Sequence, residues 1–180
     1  MMPSTIEMES FALTLHCHRG EGFPAMDGDT VDPYVRMQLP TLGLIKTKYI
    51  PGVPVNEDGA FALFDEKLVA PLALPKGDRK PSTLVHVSVV DMNKASSDEI
   101  IGTTCIDLTQ DGKRYESPTW INLYGTPHSR RDVKLETQRD LVELMNAGKV
   151  PGTHFRGRLL ITLSEARMIN TTWGRCIFAP

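Results

Sequence analysis

No stretch of the chain approaches the roughly 20 consecutive apolar residues that a membrane-crossing helix needs. The first ten residues, MMPSTIEMES, lack the basic and apolar regions of a secretory signal. Both absences lead to the expectation of a soluble, cytoplasmic protein. Cysteine is scarce: Cys17, Cys105 and Cys176 form an odd set without C-x-x-C spacing. That argues against a disulfide scaffold or a zinc module and for a reducing compartment. A dominant charge is missing too. With 20 Lys and Arg against 22 Asp and Glu the formal net charge is −2, so bulk electrostatics do not point to nucleic acid. Attraction to a membrane would have to come from a local patch or a bound metal. There is no G-x-S-x-G, P-loop or H-E-x-x-H, and the histidines at 16, 18, 86, 128 and 154 are scattered, so an enzyme is not expected.

What is present suits one domain. The 180 residues are 41% hydrophobic and 23% charged, enough to bury a sizeable core. Phe11 to His18 alternates apolar and polar residues and reads as a half-buried strand, with His16 and His18 on the face opposite Leu13, Leu15 and Cys17. That histidine pair lacks a third metal ligand in sequence and reads as solvent-facing. Further strands are expected over PYVRMQL from Pro33, Ile45 to Ile50, within Phe61 to Leu72, Leu84 to Val90, Ile100 to Leu108, Pro118 to Tyr124 and Gly157 to Ser164. Trp120 is expected as a core anchor. The stretch Glu136 to Asn146 places Leu141, Val142, Leu144 and Met145 at helical spacing, with Gly148 and Pro151 as stop signals. The expected organisation is a flexible lead-in over 1–10, one domain over 11–166 and a tail over 167–180. Its class is all-β, an antiparallel sandwich of eight strands with a helix inserted before the last one.

Loops of such a sandwich gather at its two ends. The loop from Arg19 to Asp32 and the loop from Asp91 to Glu99 would face one another, bringing Asp27, Asp29, Asp32, Asp91, Asn93, Asp98 and Glu99 to one tip. So many carboxylates repel each other unless they are solvated or neutralised by a cation. A hard ion such as Ca²⁺, which takes six to eight oxygens, suits that donor set.

The run FPAMDGDTVDPYVRMQL, then KTKYI, then the loop from Asp91 to Gly102, resembles the C2 domain signature. The resemblance implies an eight-stranded antiparallel sandwich that binds acidic phospholipid, often with Ca²⁺ between its end loops. Matched position by position, it implies Ca²⁺ ligation by Asp27, Asp32, Asp91, Asn93 and Glu99, with Asp29 and Asp98 as substitutes. Asn93 stands where a second aspartate is usual, which removes a charge. Tyr34, Arg36, Lys46 and Lys48 resemble the basic cluster by which some C2 domains hold phosphoinositide headgroups. The C-terminal runs TWINLYGTP and LMNAGKVPGTHFRGRLLITLS resemble the central C2 domains of ferlins. With little chain before Phe11, the C-terminal strand implies type II topology. The expected function is calcium-dependent phospholipid binding at an acidic membrane surface, in vesicle trafficking or fusion, by a peripherally associated cytoplasmic protein. The alternative is a calcium-independent C2 domain that holds a protein partner or a phosphoinositide.

Overall fold

Strict alternation of side chains fixes the inner face of nearly every strand. In the computed structural model, which describes residues 8–26, 28–39, 42–75, 84–93, 97–108, 112–125, 154–170 and 176–178, eleven strands form. They are β1 (Met8–Phe23), β2 (Thr30–Val31), β3 (Pro33–Leu39), β4 (Leu42–Lys46), β5 (Val53–Asn56), β6 (Gly59–Pro75), β7 (Leu84–Asp91), β8 (Glu99–Asp107), β9 (Thr119–Gly125), β10 (His154–Asn170) and β11 (Cys176–Phe178). A 3₁₀ turn covers Gly112–Tyr115. Eight strands were expected. β2, β5 and β11 are additional, the first two supplying a two-pair ladder inside what reads as loop. The expected helix over 136–146 lies outside the described residues.

All pairings are antiparallel, in the order β2-β5-β6-β1-β10-β9-β8-β7-β3-β4, with β11 beside β10. A single bridge, Thr103 with Tyr124, joins β8 to β9. The path therefore folds into two layers, β6-β1-β10-β9 and β8-β7-β3-β4, whose inner faces share one core. Leu13, Leu15, Cys17, Phe23, Val35, Met37, Val85, Val87, Val89, Leu123, Leu159 and Ile161 fill it. Each large apolar side chain buried there stabilises by roughly 1.5–3 kcal/mol. β10 sits between β1 and β9, the placement of a C-terminal strand that type II topology requires. The chain after Ser164 also continues beyond the expected strand, as Met168, Ile169 and Asn170 pair with Phe178, Ile177 and Cys176.

Two local expectations change. The third strand ends at Lys46 instead of running through Ile50. Thr47 turns inward, where its N–H donates to the Val35 carbonyl at 2.9 Å and its hydroxyl oxygen accepts the Val35 N–H at 2.9 Å. A buried Thr hydroxyl thus takes over a ladder bond. Trp120 is not a core anchor. It has the opposite parity to buried Ile121 and Leu123 and lies on the outer face, between the guanidinium groups of Arg158 at 4.5 Å and Arg19 at 5.5 Å. Arg158 also pairs with Glu21.

At one end of the sandwich, β1, β6 and β10 approach backbone to backbone at Gly22, Gly59 and Gly157. A Cβ on Gly157 would stand 2.6 Å from the Glu21 carbonyl, and its φ of +113° is one that side-chain-bearing residues avoid. This close approach leads directly into the loop that precedes β2.

Candidate functional site

Asp32 lies just before β3, and Asp91 ends β7. Because Pro33 and Asp91 are register partners, the two aspartates meet. The Asp32 N–H donates to Asp91 Oδ1 at 2.6 Å, and the Met92 N–H donates to the Asp32 carbonyl at 3.0 Å. Asp32 Oδ1 in turn accepts the Gly52 N–H at 2.6 Å, which ties the turn before β5 to the same point. Asp91 is only 3% exposed. A carboxylate so deeply placed needs strong donors or a cation to offset its lost hydration.

The rest of the third loop is braced by Asp98. Its Oδ1 accepts the Asn93 N–H at 3.1 Å and its Oδ2 accepts the Tyr34 hydroxyl at 2.8 Å. Asn93 closes the loop further by donating Nδ2–H to the Ser97 carbonyl at 3.4 Å. Glu99 is exposed and stands across the ladder from Asp91. Asp29 is exposed, and its carbonyl accepts the Val55 N–H at 2.9 Å. Asp27 lies outside the described residues. The structure therefore brings Asp32 and Asp91 into contact and puts Asn93 and Glu99 on the adjoining loop. It gives Asp98 a bracing role that the sequence does not show.

The donors at this end are all oxygens, which fits a hard cation in kind. Among the described residues, the group of three metal-competent atoms within 4.8 Å of one another lies elsewhere, at His16, His18 and Asp65. At the tip the described aspartates supply a joined pair, and a third carboxylate would have to come from beyond it.

The expected basic cluster adjoins the same site. Arg36 and Lys46 are register partners on β3 and β4, and the Lys46 ammonium lies 5.1 Å from the centre of the Tyr34 ring. Tyr34 is 4% exposed despite its outward parity, covered by Lys46 and anchored on Asp98. Burial, then the hydrogen bond to Asp98 and its charge, push the Tyr34 phenol up to about 12, so it stays a neutral donor. Burial pulls the Arg36 guanidinium down, and Tyr34 and Asp98 oppose that shift. Lys48 departs from the expected row because β4 ends before it. Its N–H donates to the Glu66 carboxylate at 3.1 Å while its side chain remains exposed.

The sandwich and its paired end loops define a class. The family model described as C2 domain matches residues 11–123, more than half of the chain, and the chain belongs to the C2 domain family. Among solved structures it is similar to a C2 domain of a plant extended synaptotagmin 1, with 15% identity, a TM-score of 0.53 and coverage of 88% of this chain and 96% of that one. It is also similar to a structure holding two C2 domains of extended synaptotagmin 2, with 15% identity, a TM-score of 0.57 and coverage of 94% of this chain and 45% of that one. The calcium-bound form of that two-domain protein matches with 14% identity, a TM-score of 0.57 and coverage of 92% and 48%. The chain thus spans about half the length of the two-domain structures. At these identities the likeness shows the fold. The expected ferlin subtype gains no support from these neighbours, and most of the run that carries it falls after residue 123, beyond the family match. No helix among the described residues is long and apolar enough to cross a membrane.

Proposed function

We propose that this C2 domain is a non-catalytic, calcium-dependent module that binds acidic phospholipid at a membrane surface. The observation that carries the proposal is the contact of Asp32 with buried Asp91, which joins the two acidic loops at one end of the sandwich. Ca²⁺ would be held by Asp32 and Asp91 with oxygens from Asn93 and Glu99, and by Asp27 or Asp29 from the first loop. Asp98, with both oxygens engaged, shapes the loop that presents them. A similar two-domain structure is calcium-bound, in line with this assignment. Bound Ca²⁺ would reverse the sign of the tip potential and offer coordination sites to lipid phosphate. Arg36, Lys46 and Lys48 would add on the order of 1 kcal/mol each near an anionic leaflet. Peripheral, cytoplasmic association in vesicle trafficking or fusion is the setting that the ferlin-like C-terminal run suggests.

The test is calorimetric Ca²⁺ titration together with co-sedimentation on phosphatidylserine vesicles. The Asp32→Asn/Asp91→Asn protein should lose calcium-dependent sedimentation, and sedimentation equal to wild type would refute the mechanism.

A second reading has its own support. Neutral Asn93 and the commitment of both Asp98 oxygens reduce the charge available to an ion, while Arg36, Lys46 and Tyr34 are already assembled. A calcium-independent domain would give no heat on titration and would bind phosphoinositide vesicles equally in chelator, with Arg36→Gln/Lys46→Gln abolishing that binding.

A further inference from the structure

His16 and His18 leave β1 on the side away from the core, while Leu15 and Cys17 point into it. Opposite them β6 is irregular. Cys17 pairs with Glu66 and Arg19 with Leu63, so His18 alone faces Phe64 and Asp65. β1 carries a matching irregularity against β10 at the same point. A bulge of this kind re-aims side chains and recurs next to functional sites. Here it puts Asp65 at φ +44°, the one left-handed position among the described non-glycine residues, and the strained residue carries a carboxylate aimed across the strands. Asp65 Oδ1 lies 2.9 Å from His16 Nε2. The two imidazole rings stand with centroids 4.0 Å apart. His18 Nε2 lies 2.7 Å from the Thr162 hydroxyl of β10, which fixes that ring in place.

From this geometry we propose that His16, His18 and Asp65 form a site for a borderline first-row divalent cation such as Zn²⁺, separate from the acidic tip. One nitrogen from each ring and one Asp65 oxygen already lie within 4.8 Å of one another. Bonds of about 2.0–2.2 Å at tetrahedral angles place two ligand atoms about 3.3 Å apart. The His16–Asp65 pair needs to open by only a few tenths of an ångström when the proton between them is replaced by the ion. Two imidazoles and one carboxylate favour Zn²⁺, Cu²⁺ or Ni²⁺ over Ca²⁺, which prefers oxygens alone. Three protein ligands leave a fourth position for solvent or an external donor. The Thr162 hydroxyl supplies the outer hydrogen bond that orients a ligating histidine. Cys17 takes no part, since its thiol faces the core. His18 and His16 lie four and six residues back along β1 from Gly22, roughly 13 and 20 Å at the strand rise, so the cation would not share ligands with the tip.

The full chain is titrated with Zn²⁺ by calorimetry in the presence of excess Ca²⁺, and with Co²⁺ by visible absorption. Wild-type protein should bind one equivalent, gain thermal stability and show the intense bands of a low-symmetry cobalt site. Asp65→Gly removes a ligand while favouring the observed φ, so it should fold normally and bind Zn²⁺ at least about tenfold more weakly. His16→Gln/His18→Gln should show no cobalt bands. Zinc bound with wild-type affinity by both variants would move the ion to other residues and overturn the assignment. Absence of a zinc response in wild-type protein would leave the three side chains as a hydrogen-bonded cluster only, and would also overturn it. The calcium titration of Asp65→Gly is expected to match wild type, so failure at the tip is read independently of failure here.

Discussion

The Tyr34 hydroxyl donates to Asp98 Oδ2 across 64 residues of sequence, at 2.8 Å, and so joins the basic face of β3 and β4 to the acidic third loop. A phenol that is buried and bonded to a carboxylate organises both surfaces at once. Tyr34→Phe keeps the ring against Lys46 and deletes only this bond. It should lower unfolding stability in calcium-free buffer by about 1.5–3 kcal/mol, the range for a hydrogen bond to a charged group. Urea denaturation measures it, and an unchanged midpoint would show that the bond contributes no net stability.

Asp91 offers a second comparison. Asp91→Ala leaves the Asp32 N–H without its acceptor in a nearly closed site, and should cost about 1–3 kcal/mol. Asp91→Asn retains a carbonyl oxygen in the same place and should cost less. Thermal unfolding in chelator distinguishes the two. Equal losses would mean that charge, and not the accepted hydrogen bond, dominates there.

The glycines near the tip separate crowding from backbone strain. Gly157→Ala meets the Glu21 carbonyl and the Phe23 ring at φ +113°, so strain and overpacking add to about 2–5 kcal/mol. Gly28→Ala has φ +76° and nothing within 4 Å, so only the left-handed penalty of about 1–2 kcal/mol applies. Chemical denaturation of the two variants should preserve that order.

Cys17 predicts a pH dependence. Burial, and then the Glu66 charge, raise its thiol from 9.0 to about 12. Above pH 9 the unfolded chain loses this proton while the folded chain keeps it, so folding binds the proton more tightly. The contribution of Cys17 to stability is therefore complete below pH 9 and declines between 9 and 12. Stability measured on either side of pH 9 should fall more steeply in wild type than in Cys17→Ala. The native thiol should also resist alkylation at neutral pH, where a thiolate is required.

Alternation made most of the sandwich legible. Leu84 to Val90 announces its inner face through Val85, Val87 and Val89, and all three are buried. Residue type, against parity, misplaced Trp120: an indole reads as core, but its neighbours Ile121 and Leu123 already occupy the inward positions. Thr47 ended β4 early through a side-chain bond that no periodicity reveals. At the tip, the expected facing of the two loops is seen in the contact of Asp32 with Asp91, but the engagement of Asp98 by Tyr34 depends on a pairing of distant strands. The same holds for Asp65. It lies 49 residues from His16, and only a bulge, which breaks the two-residue rhythm on which strand reading rests, turns a pair of histidines into a set of three ligands.

The position of β10 has a consequence for how the domain is made. Phe11 pairs with Arg167 on one side and Leu72 on the other, so β1 can acquire β6 as a neighbour well before β10 has been synthesised. Residues 11–123 carry the family signature, yet a nascent chain of that length would expose the open flanks of β1 and β9. Such edges invite pairing with other chains, and closure across so long a separation is slow. The stretch with the clearest sequence identity is thus the stretch least able to stand without its late-arriving strand, and premature termination before residue 154 should yield aggregates in place of a smaller binding module.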